Sequence, residues 1–145
     1  MKKNKKLLVI ATTILIILIL VDCLVALISG FTSSQNKELG LKLSLSNVSA
    51  QGATITLERG VSEKAEDVTI GHSYVIQKRC FLGWRDMKLK GPYGFVDYGI
   101  GLEEGEVHDW NVNWKHMYGR LWPGVYRIGG LMSDAELYKP FLVLF

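Results

Sequence analysis

The sequence predicts an all-β domain, an antiparallel β-sandwich, preceded by one N-terminal transmembrane helix. Three observations predict it. Beyond residue 31, apolar residues alternate with polar ones in short runs separated by turn residues. No stretch there sustains a 3.6-residue apolar period over three turns. Before it, Leu7 to Ile28 is an apolar run interrupted only by Thr12, Thr13 and Asp22.

A helix of that length rises about 33 Å at about 1.5 Å per residue, enough for a hydrocarbon core. Lys2, Lys3, Lys5 and Lys6 precede it, and no basic residue follows until Lys37. The positive-inside rule then keeps residues 1–6 cytoplasmic, makes 7–29 an uncleaved signal anchor and exports the rest. Two other readings are a cleaved signal peptide ending near Ser29-Gly30 and a lipoprotein signal at Cys23. Leu27 and Ile28 make a poor small-residue cleavage site, and Asp22 stands where a lipoprotein signal needs a small residue. Asp22 could contact a partner membrane protein, or sit toward the outer headgroups. Residues 30–37, with Gly30 and the polar Thr32 to Asn36, read as a linker, and 38–145 as the domain.

The strands follow in order. Leu39, Leu41, Leu43 and Leu45 alternate with polar or small residues, as do Ala53, Ile55 and Leu57 after a Gln51-Gly52 turn. Tyr74 and Ile76 make a third strand, Phe81–Leu89 a fourth with Trp84 inside, and Phe95–Ile100 a fifth. Trp110, Val112 and Trp114 share one face of a sixth. Val125–Gly130 and Phe141–Phe145 complete eight, with one helical turn expected over Trp114–Tyr118. The Pro123-Gly124 turn places Tyr126 where its hydroxyl can reach the backbone upstream, the tyrosine corner of Greek-key sandwiches.

The run Trp110-Asn-Val-Asn-Trp114, then Tyr118-Gly119, Leu121, Pro123-Gly124 and Tyr126-Arg127-Ile128, resembles a bacterial immunoglobulin-like domain family. Tyr74-Val-Ile-Gln-Lys78 and Trp84 are similar to an upstream strand and tryptophan of that family. The resemblance implies an immunoglobulin-like sandwich in an exported or membrane-anchored protein of Gram-positive type. It implies no reaction. Cys80-Phe81-Leu82-Gly83 departs from it, because the family tends to place a polar turn there.

The net charge of +3 comes from the leading lysines; without residues 1–31 there are 13 basic and 13 acidic residues. A near-neutral domain argues against nucleic acid. With Cys23 in the apolar run, Cys80 alone remains, which excludes an internal disulfide and a cysteine zinc site. His108 and Asp109 are adjacent and point to opposite faces of a strand; His72, His108 and His116 have no zinc spacing. Glu103, Glu104 and Glu106 read as a solvated loop, without the spacing of a cation cage. No catalytic residue, cofactor site or metal site is expected.

The expected role is therefore non-catalytic binding or scaffolding by a tethered module. The expected partners are membrane lipid, through the N-terminal helix, and another envelope or membrane protein. A sensory or regulatory subunit acting through a partner membrane protein is the alternative, and a small cell-envelope enzyme a third. The candidate contact residues are Tyr93 and Tyr98, on the glycine-rich segment Lys90–Gly101, and Trp122 in its turn. A competing reading buries the aromatics of 95–100 in an edge strand.

Overall fold

A computed structural model describes residues 2–63, 68–95, 99–130 and 137–144. Helix α1 spans Lys2–Ser33. Among the described residues ten strands follow: β1 Gln35–Asn36, β2 Leu41–Ser46, β3 Ala53–Arg59, β4 Val68–Ile70, β5 Val75–Cys80, β6 Gly83–Asp86, β7 Ile100–Leu102, β8 Val107–Val112, β9 Gly124–Gly129 and β10 Tyr138–Val143. A single turn of helix, α2, spans Lys115–Tyr118 between β8 and β9.

One sheet has the order β1-β2-β3-β8 and a second β10-β9-β5-β6, with β4 and β7 forming a small third pair. All pairings are antiparallel. The alternation read from the sequence is the burial pattern of the strands. In β3 Ala53, Ile55, Leu57 and Arg59 point inward and are buried. Facing them, Ile76 of β5 and Ile128 of β9 are buried, and Phe141 of β10 joins them. Trp114 has no exposed surface and stacks on Phe141 at 5.1 Å between ring centroids, with Tyr126 on the same ring at 5.8 Å. This aromatic stack ties the segment after β8 to the second sheet, and area burial of this kind dominates the stability of such cores.

The Gln51-Gly52 turn forms as expected. The Ser49 hydroxyl accepts from the amides of Gln51 and Gly52, and the Ser49 amide donates to the Gly52 carbonyl. A Cβ on Gly52 would stand 2.2 Å from the Val112 carbonyl oxygen, so only glycine fits between β3 and the end of β8.

Several boundaries differ from expectation. The stretch 30–37 is not an open linker: α1 continues to Ser33, and Gln35 and Asn36 pair with Lys42 and Leu41. The Leu43 amide donates to the Ser34 carbonyl, so helix and sandwich are joined directly. The first long strand begins at Leu41, because the Leu39 amide is held by the Asn36 side chain. The fourth strand is shorter, Gly83–Asp86, with Phe81 in the preceding turn. The fifth is Ile100–Leu102, since Phe95 turns inward and packs edge-on against Tyr74 at 5.5 Å. The sixth is Val107–Val112; Trp110 and Val112 share its inner face, while Trp114 is buried beyond its end. The last strand starts at Tyr138 and tolerates Pro140 because β10 lies at a sheet edge. Strand β4 had no long alternation to announce it.

In α1 the described side chains are Lys5, Lys6, Val9–Val21 and Leu24, all exposed. The hydroxyls of Thr12 and Thr13 both donate to the Val9 carbonyl at 2.9 Å, which removes their need for water. Among the described residues, no helix is long and apolar enough to cross a membrane. The side chains of Asp22 and Cys23 lie outside the described ones.

Candidate interaction surface

The outer face of the sheet β10-β9-β5-β6 carries an aromatic and cationic ladder. Register builds it. Gln77 on β5 lies between Asp86 on β6 and Arg127 on β9, and Arg79 lies opposite Trp84. The Gln77 side chain donates to Asp86 at 2.7 Å and accepts from Arg127 Nε at 2.5 Å. The Arg127 guanidinium is thereby held 4.7 Å from the Trp84 ring centroid and 4.0 Å from that of Tyr138. Arg79 also approaches the Trp84 ring, at 5.7 Å. Such cation–π contacts are worth about 0.5–1 kcal/mol each at partly exposed sites.

Gly129 makes room for the ladder. It stands directly opposite Tyr138, and a Cβ on it would lie 2.2 Å from that ring. The tyrosine therefore lies flat across β9 toward Arg127. The result is a pre-ordered face of Trp, Tyr and Arg, the residue types that most often carry binding energy at protein interfaces.

Tyr93 and Trp122, singled out by sequence, are not members of the ladder. Trp122 is 77% exposed, beside a shallow cavity of about 330 Å³ lined by Ala50, Arg120, Leu121, Pro123 and Leu144. Tyr93 is partly exposed, and its hydroxyl donates to the His116 carbonyl at 2.5 Å. That bond clamps the segment after β6 onto α2. Tyr98 lies outside the described residues. Sequence reasoning missed the ladder because its members lie far apart in the chain, and only strand register brings them together. The signal that was present is Gly129, a glycine inside a strand, which marks a close approach by another group.

The histidines do not converge on chemistry. His108 points inward and its ring lies 6.1 Å from His72 and 5.4 Å from Trp110, whereas Asp109 points outward and is exposed. Among the described residues no three of His, Cys, Asp and Glu group to hold a metal ion.

The far end of the sandwich is organised around Arg59. It is buried, and its guanidinium donates to the Leu102 carbonyl. Glu104 accepts from the backbone amide and the hydroxyl of Ser62, both at 2.9 Å. Those two bonds, with Arg59 nearby, hold its carboxyl below the usual range. Burial pushes the Tyr74 phenol up to about 12, and the neighbouring Tyr118 adds to the shift.

A model of the family described as bacterial Ig-like domain matches residues 35–142, from the start of β1 to the penultimate residue of β10. No curated protein matches the chain. No solved structure matches it.

Proposed function

The chain belongs to the bacterial Ig-like domain family, and from that premise we propose a tethered, non-catalytic module that binds a protein partner at the cell surface. Ig-like domains of bacteria suggest an extracellular or surface location and are typically non-catalytic. The observation that carries the reading is the direct join of α1 to the sandwich. Four lysines and the apolar run Leu7–Ile28 lead through a helix into β1, and β1 is the edge strand of the first sheet. A chain built this way holds its domain close to whatever holds its helix. The reading makes that a membrane, with the N-terminus cytoplasmic.

The partner is a protein of the envelope or membrane, and its docking face is the ladder of Trp84, Arg127 and Tyr138. These side chains are ordered before binding, which lowers the entropy cost of an interface. A reporter enzyme that works only outside the cytoplasm, fused after Phe145, tests the topology. Activity in intact cells supports the reading. Activity of a cytoplasm-only reporter at the same place contradicts it.

A further inference from the structure

We propose that the end of the sandwich nearest α1 is a second contact surface, which rests on an anionic lipid bilayer. Strand register defines this end. Tracing back from the pairing of Gln35 with Lys42, the chain before Ser34 heads along β2 toward Ser46. The Ser46–Gly52 loop lies there, and the Leu121 amide donates to the Ala50 carbonyl. In the second sheet Gly124 pairs with Val143, and Lys78 with Tyr126, which places the β5–β6 tip at the same end. Helix exit, Trp122, Leu144 and the β5–β6 tip therefore share one end of the domain.

The tip is Phe81-Leu82, the departure from the family pattern noted in the sequence. Phe81 is 87% exposed and Leu82 82%, and Leu144 is 72% exposed. Large apolar side chains at the tip of a two-stranded hairpin have no core to join, and they suit the boundary between headgroups and acyl chains. Charge names the occupant. Among the described residues, segments 43–53, 78–85, 112–124 and 141–144 contain no Asp or Glu and carry Lys78, Arg79, Arg85, Lys115 and Arg120. The opposite end carries Glu38, Glu63, Glu103, Glu104 and Glu106 against Lys37 and Arg59, a net acidic balance. A neutral domain is thus polarised, basic and apolar toward the helix and acidic away from it. Basic side chains around apolar tips are the pattern that attracts anionic headgroups.

The proposal rests on the reading of α1 as an anchor only for which bilayer is met. The full chain with Cys23→Ser and Cys80→Ser is reconstituted in phosphatidylglycerol-rich vesicles. A polarity-sensitive fluorophore is placed on Leu82→Cys, or on Glu103→Cys as the far-end control. Brominated lipid should quench the fluorophore at position 82 roughly threefold more than at 103, given a burial depth of about 5–10 Å. Arg85→Gln with Arg120→Gln should cut that quenching by about half, as should high salt. Equal, weak quenching at both positions in chains that float with the vesicles overturns the proposal and leaves the anchor intact. Selective quenching in chains stripped off by alkaline carbonate supports the surface and overturns the anchor. A blue shift that depends on protein density without lipid quenching places the tip against a second copy, and overturns the proposal. Chains that do not float at all overturn both.

Discussion

The Tyr126 hydroxyl donates a 2.8 Å hydrogen bond to the Trp122 carbonyl, four residues upstream. The phenol ring is buried against Phe141, and the bond ties the Pro123-Gly124 turn to the strand that follows it. Tyr126→Phe keeps the ring and removes the bond. It should lower unfolding free energy by about 1 kcal/mol in chemical denaturation. An unchanged midpoint would show that the corner contributes nothing to stability.

The Tyr74 phenol titrates near 12 in the fold against an ordinary value of 10.0. A group whose folded value is raised contributes stability that is present below the unfolded value and is lost as pH climbs through the folded one. The domain should therefore weaken between pH 10 and about 12. Tyr74→Phe should flatten that part of the stability profile, measured by tryptophan fluorescence in denaturant at each pH. A profile as steep as that of the unmodified chain would remove Tyr74 as its source.

Glu104 behaves in the opposite sense. Its carboxyl is held below the ordinary value of 4.5 by the Ser62 amide and hydroxyl. The stabilisation is present above that ordinary value and disappears as pH falls through the lower folded one. Glu104→Gln should thus shrink the loss of stability on acidification below pH 4.5. Its exposure makes the effect small. Identical acid profiles for the two chains would contradict the assignment.

Gly129→Ala introduces a methyl group where the Tyr138 ring now lies. The ring must swing away from Arg127, and the Leu137 backbone carbonyl, 2.7 Å from that methyl, must shift as well, so partner capture and stability should both fall. Trp84→Ala removes the ring that meets Arg79 and Arg127, and should lower capture with only modest loss of stability. In-cell crosslinking and denaturant midpoints read the two effects separately. Capture that survives both substitutions excludes the ladder as the docking face.

The local parts of this fold were legible in the chain. Alternation at Leu41 to Leu45 and Ala53 to Leu57 reports half-buried strands, because side chains on a pleated backbone alternate faces. Tyr126 and its upstream turn were legible for the same reason, being neighbours in sequence. Non-local pairings were not. Strand β4 holds only Val68, Thr69 and Ile70, and it exists because β7 lies beside it. Phe95 left its expected strand for the ring of Tyr74, a tertiary contact that outweighs strand propensity. The Trp84–Arg127–Tyr138 ladder depends on register across four strands. The exposed tip at Phe81-Leu82 was visible as an anomaly, but the end of the sandwich it shares with the helix was not.

A domain held at a membrane by an uncleaved N-terminal helix is tested most directly by alkaline-carbonate extraction of cell membranes, followed by mass measurement of the chain. A tethered domain gives a species in the membrane pellet that still carries the segment Leu7–Ile28. A soluble species that begins near Phe31 would contradict it.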